Sequence, residues 1–250
     1  MPPPLKSNRS AQDAFTLIEL LCVVAIITIL AAVTVPVLTH AKTASKVSVC
    51  QSNLRQIACG LQAYIADWND TYPCTGDRYA PYLWMGRRWR WPLKKYLAPG
   101  VFRDPNDNDN PDISVGPRRT ILLCPADYEA PSKWDGTSYA YSAAFYHTPD
   151  QINSMTTDQL WKKEAPPPEC VAQKASAVLY PSRKAMLGEW MSNHDIERTS
   201  WWDDLRRGAR NYAFADGHVS RVPASCIGPT VSGLPDINLT RDGIRGRDIP

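Results

Sequence analysis

The sequence predicts an α+β protein in which one long N-terminal helix packs on a C-terminal antiparallel β-sheet. Three observations lead there. Residues 20–41 run for 22 positions without Asp, Glu, Lys or Arg. Apolar residues then recur at Val47, Cys50, Leu54, Ile57, Leu61, Tyr64 and Trp68, in steps that alternate between three and four. Beyond Thr71 the chain breaks into short β-branched or aromatic runs, the last of them joined by Asp216-Gly217.

The uncharged run comes first. As a helix, 22 residues rise about 33 Å, enough for a hydrocarbon layer of about 30 Å. A buried core helix seldom runs so far without charge, and a secretory signal has an apolar stretch of only about 7–15 residues. Thr39-His40-Ala41 is also a poor small-x-small cleavage site. Residues 15–38 therefore read as a transmembrane helix in contact with a lipid bilayer. Glu19 interrupts its start. A carboxylate costs about 2.5–3.5 kcal/mol at the middle of such a helix. Glu19 either reaches water at the interface or awaits a cationic partner. Lys6 and Arg9 precede the run and Lys42 and Lys46 follow it, so the charges do not decide its orientation.

The alternating steps beyond the run are a helix seam, with Lys46, Arg55 and Asp67 off it. One helix is expected from about Phe15 to Trp68, bent or broken at Pro36, with residues 39–69 as its extramembrane continuation. Asn69-Asp70-Thr71-Tyr72-Pro73 supplies the stop. The seam is expected to pack on the chain's own sheet.

Residues 70–226 read as a β-rich head, with 227–250 as a C-terminal tail. Strands are expected at 120–124, 138–141, 178–180, 185–188, 211–215 and 218–222. Asp216-Gly217, followed by His218, is a two-residue hairpin signal because Gly accepts positive φ.

Composition excludes several classes. With 44% apolar and 21% charged residues in 250, the chain is neither wholly disordered nor a polytopic membrane protein. Its 22 Pro and 13 Gly are too few for a collagen-like or low-complexity chain. A net charge of +3 argues against a dedicated nucleic-acid binder. Arg87-Arg88-Trp89-Arg90-Trp91 with Trp84 interleaves cations and aromatics, and Arg–Trp stacking accounts for it without a nucleic acid.

Ala14-Phe15-Thr16-Leu17-Ile18-Glu19-Leu20-Leu21 resembles the cleavage and methylation signature of type IV prepilins and type II secretion pseudopilins. The resemblance implies a cytoplasmic leader, residues 1–14, cut between Ala14 and Phe15 by prepilin peptidase, and methylation of the new Phe15 amine. It makes Glu19 the fifth mature residue, which sets the register of assembly. It also places Pro36 where the family often has a helix-kinking proline. The family usually has Gly where this chain has Ala14. The implied partners are like or related pilin subunits, met through the N-terminal helix, and the inner-membrane assembly machinery. The implied location is the inner membrane, single-pass, with the head outside the cytoplasm or in a filament.

Cys50-Gln51-Ser52-Asn53-Leu54-Arg55-Gln56-Ile57 resembles a bacterial subgroup of pilin-like proteins, as does Phe214-Ala215-Asp216-Gly217-His218-Val219. That subgroup has His ten positions before the Asp of its Asp-Gly; here the residue is Arg206. The resemblance implies a structural subunit of a pilus or a type II secretion pseudopilus. A static single-pass anchor displaying an extracytoplasmic ligand-binding domain is the alternative.

Of seven cysteines, Cys22 lies in the apolar run. Cys50, Cys59, Cys74, Cys124, Cys170 and Cys226 lie outside it, and one to three disulfides among them are expected in an oxidising compartment, with some thiols left free. There is no C-x-x-C. No cofactor is expected. Asp104, Asp107, Asp109 and Asp112 would suit calcium chemically, but Asp109 and Val115 stand where an EF-hand loop needs Gly and Glu, so a solvated loop is the expected reading. His194, Asp195, Glu189 and Ser192 are near one another in sequence. Without G-x-S-x-G or H-E-x-x-H they do not make an enzyme.

Overall fold

The computed structural model describes residues 16–74, 91–93, 95–97, 121–130, 137–161, 165, 167–199, 206–228, 230–231 and 233–250. Packing divides the chain into two units, residues 1–44 and 45–250. Helix α1, Leu17–Asp67, contributes to both.

In the first unit every described residue is exposed. The helix continues unbroken through Pro36, although proline has no N–H to give the ladder. Threonine hydroxyls in this stretch donate to carbonyls of the preceding turn: Thr28 to Ala25 at 2.8 Å, Thr34 to Leu30 at 2.8 Å and Thr39 to Val35 at 2.9 Å. A hydroxyl so bonded needs no water, which suits it to an apolar surrounding.

In the second unit α1 buries Cys50, Leu54, Ile57, Leu61 and Tyr64, five of the seven seam positions. Val47 is half-buried and Trp68 is exposed. Trp68 stacks on Tyr64 with ring centroids 5.3 Å apart. Asn53, Ala58, Gly60 and Ile65 are buried as well. Asn53 is polar, and its amide donates to the Leu123 carbonyl at 3.0 Å and to the Tyr139 hydroxyl at 3.3 Å. The helix ends as expected. Asn69 and Asp70 take left-handed φ of 49° and 60°, which Asn and Asp tolerate. The chain then pairs outward: the Tyr72 N–H donates to Gln173 at 2.9 Å and the Ala175 N–H to Asp70 at 2.8 Å.

Strands β1 (Tyr139–Tyr141), β2 (Ala185–Glu189), β3 (Ala209–Phe214) and β4 (Val219–Pro223) form one antiparallel sheet in that order. The first three are buried along nearly their whole length, so they lack the polar–apolar alternation of a half-buried strand. β4 is the exposed edge. Two short helices, α2 (Pro149–Ser154) and α3 (Thr157–Trp161), lie between β1 and β2. A capping box starts α2: Thr148 accepts from the Gln151 N–H while the Gln151 side chain accepts from the Thr148 N–H.

The sheet packs on the second half of α1. Gln51 donates to the Asn211 side chain at 3.1 Å and Gln62 to the Ala215 carbonyl at 3.0 Å. One core joins Leu54, Ile57 and Leu61 to Tyr139, Tyr141, Leu187 and Phe214.

Three expectations need correction. Residues 121–124 form turns, not a strand. The Leu122 carbonyl accepts from the Ser138 N–H at 2.8 Å, but the Cys124 N–H is taken by the Ser138 hydroxyl at 2.9 Å, which stops a ladder. Residues 178–180 are also not a strand. They are caught between single 3₁₀ turns at Ala175–Ala177 and Pro181–Arg183, and Leu179 and Tyr180 are exposed. Third, residues 227–250 are no loose tail. Ile237, Leu239 and Ile244 join the core, and the Lys184 ammonium meets the Asp248 carboxylate at 3.1 Å with both side chains fully buried.

Candidate functional site at the N-terminal helix

The site begins at the first turn of α1. Thr16 and Glu19 bond reciprocally. The Thr16 N–H donates to Glu19 Oε2 at 2.9 Å, its hydroxyl donates to the same oxygen at 2.8 Å, and the Glu19 N–H donates to Thr16 Oγ1 at 3.3 Å. This is the capping-box pattern, which satisfies N–H groups that a helix start leaves without partners. A carboxylate here also faces the positive end of the helix dipole. Among the described residues no hydrogen bond reaches Glu19 Oε1. Glu19 thus holds its own helix start through one oxygen and can accept a cation through the other. Below it lies a helix long and apolar enough to cross a membrane, with none of that apolar window buried by the chain itself. Ala14 and Phe15 lie outside the described residues, as do Arg87, Arg88, Trp89, Arg90 and Trp84, and the calcium candidates Asp104, Asp107, Asp109 and Asp112.

The Asp216-Gly217-His218 motif forms the β3–β4 connection with a three-residue loop instead of the expected two. The Phe214 N–H donates to the His218 carbonyl at 2.9 Å, and the Gly217 N–H returns to the Phe214 carbonyl at 2.8 Å. Only Gly217 takes positive φ, at 89°, whereas a tight two-residue turn of the favoured kind needs two such residues. Asp216 Oδ1 accepts from the His218 N–H at 3.1 Å and meets its Nδ1 at 2.6 Å, while the imidazole stacks on Phe214 at 4.3 Å. The motif shapes the turn. Arg206 is exposed, in the turn that leads into β3.

Of the cysteines, Cys50 and Cys124 form a disulfide, with Cα atoms 5.2 Å apart. Cys59 and Cys226 are exposed thiols, Cys74 is half-buried, Cys170 is buried, and Cys22 is exposed in the apolar stretch. Against the disulfide stands a pair whose contact the sequence did not show. His194 Nε2 lies 3.2 Å from Glu189 Oε1 and 3.4 Å from Cys124 Sγ. The neighbours His194 had in sequence go elsewhere: Ser192 Oγ accepts from the Thr199 N–H at 2.7 Å, and Asp195 accepts from the Ala209 N–H at 2.7 Å and pairs with Arg221. No nucleophile–base–orienter set forms from these four residues. Sequence distance hid the pair's link to the bridge, since Cys124 and His194 are 70 positions apart.

A family profile described as the prokaryotic N-terminal methylation motif matches residues 9–35. That span contains Ala14, Phe15 and Glu19. Over those residues the chain is similar to prepilins. It is also similar to the type II secretion system core protein G of Pseudomonas aeruginosa, at 42% identity over 68 residues. The match spans 27% of this chain and about half, 47%, of that relative's length. No solved structure matches the chain. The matched motif covers the capped start of α1 and most of its bare apolar stretch.

Proposed function

We propose that this chain is a membrane-anchored pilin-like structural subunit. It is cut between Ala14 and Phe15, methylated on the new amine, and assembled with like or related subunits into a pilus or a type II secretion pseudopilus. The head stands outside the cytoplasm. Before assembly the apolar half of α1 holds the subunit in the inner membrane; in the filament the same surface packs against neighbouring helices.

The observation that supports this most is the Thr16–Glu19 arrangement at the tip of an uncovered apolar helix. Cleavage before Phe15 creates an ammonium four residues from Glu19. Subunits staggered along an axis can set one chain's amine on a neighbour's Glu19 Oε1. In a low-dielectric surrounding that attraction is far stronger than in water and offsets the cost of holding the acid there. It also selects one axial register among apolar helices that otherwise slide with little preference. N-terminal sequencing of the purified membrane protein tests the reading. A methylated Phe15 start supports it. An intact Met1 leaves the static anchor, and a start near Lys42 leaves a secreted soluble protein.

A further inference from the structure

We propose that Cys50, Cys124, Glu189 and His194 form a buried zinc site when Cys50 and Cys124 are reduced, so that the head carries either a disulfide or a metal at one place. Each residue offers one ligand atom, and those four atoms lie within 4.8 Å of one another. Two thiolates, an imidazole and a carboxylate are the ligand types of tetrahedral zinc. Zinc bonds of about 2.3 Å to sulfur and about 2.0–2.2 Å to nitrogen and oxygen set edges of about 3.3–3.6 Å where nitrogen or oxygen takes part and about 3.8 Å between the two sulfurs, which must part to that distance once the bridge is reduced. The Cys124–His194 and His194–Glu189 separations, 3.4 and 3.2 Å, are close to such edges.

The ligands are also held in place. The Cys50 and Cys124 residues and the His194 and Glu189 side chains are almost wholly buried. Glu189 Oε2 accepts from the Asn211 backbone N–H and side-chain amide, both at 2.9 Å, which turns Oε1 toward His194. Gln51 in turn donates to the Asn211 side chain at 3.1 Å. This is the outer-shell support that metal ligands need. Among the described residues Nδ1 of His194 is buried and meets no hydrogen-bond partner, and the ring's polar contacts run through Nε2, the atom aimed into the cluster.

The chemistry balances as follows. A thiol reductant gives two electrons and two protons to the disulfide, leaving two thiols and becoming a disulfide itself. Zinc binding then releases those two thiol protons as the thiolates form, and His194 binds through unprotonated Nε2. Reoxidation by thiol–disulfide exchange with a partner disulfide removes two electrons from the thiolates and frees Zn²⁺. The two states exclude each other because disulfide sulfur has lost the thiolate charge that binds the ion.

The test uses the full-length chain in detergent, oxidised or reduced with a phosphine, mixed with zinc and then freed of unbound metal. The reduced protein is expected to keep about one zinc per chain and the oxidised protein none. Cobalt in place of zinc should show the thiolate charge-transfer absorption and tetrahedral bands. Glu189→Gln and His194→Ala, which leave the bridge able to form during folding, should weaken metal binding at least tenfold. Cys59→Ser/Cys226→Ser should leave it unchanged. The proposal is overturned if the reduced chain keeps no zinc, if it loses its fold on reduction whether or not zinc is present, or if Cys50→Ser/Cys124→Ser retains the metal undiminished.

Discussion

Gly188 and Tyr212 are cross-strand partners in β2 and β3, and the Tyr212 ring lies where a Cβ on residue 188 would be. Tyr212 is fully buried in the core, and burial pushes its phenol up to about 12. It cannot give way cheaply. Gly188→Ala should therefore destabilise the head by about 1–3 kcal/mol, the usual range for an overpacked core. Urea unfolding followed by tyrosine and tryptophan fluorescence reads it, and a midpoint equal to that of the parent chain refutes it.

The Lys184–Asp248 pair ties the last residues to β2. Asp248 accepts from the Lys184 ammonium at 3.1 Å, from the Ala185 N–H at 2.7 Å and from the Thr240 hydroxyl. Removing one member leaves the other charge buried without its partner. Lys184→Met should cost about 3–5 kcal/mol. Lys184→Met combined with Asp248→Asn should cost clearly less. A double-mutant cycle on thermal unfolding checks this, and simple additivity would contradict it.

His147 makes the head sensitive to mild acid. Burial holds its pKa below the ordinary value, against the pull of the Ala143 and Pro168 carbonyls at 3.2 Å from its two ring nitrogens. The folded state then binds fewer protons than the unfolded chain. Its contribution to stability is complete above about pH 6.5 and declines as pH falls below that, levelling off once the folded value is passed. Melting temperature should drop as pH is lowered from 7 toward 5, and His147→Gln should flatten that drop. An equal slope in both proteins would mean that other groups cause it.

Glu19→Gln removes the charge and keeps a hydrogen-bonding oxygen for Thr16. The helix start should change by no more than about 1 kcal/mol, the scale of a cap or dipole interaction. Membrane insertion and cleavage should continue, while incorporation into filaments should fall at least tenfold if the amine–carboxylate pair sets the register. Fractionation and immunoblotting of membrane and sheared-filament pools separate these steps. Full incorporation of the variant would remove the register role.

The chain's own residue order determined what depends on neighbours a few positions away. The apolar run, the seam through Leu54, Ile57 and Leu61, the Asn69-Asp70 stop and the Asp216-Gly217 turn are local in this sense, because helix period and turn chemistry act over one to four residues. The prepilin-like signature is likewise contiguous, within residues 9–35. Tertiary structure decided the rest. Which cysteines pair depends on a contact across 74 positions, and Glu189 reaches His194 only because β2 ends beside the bridge. Residues 121–124 carry strand-like side chains, yet the Ser138 hydroxyl takes a backbone N–H there that a ladder needs. The C-terminal stretch reads as a tail because its scattered apolar residues, Ile237, Leu239 and Ile244 among them, show no period. They are ordered by the core they enter and by Lys184, which no short-range pattern links to Asp248.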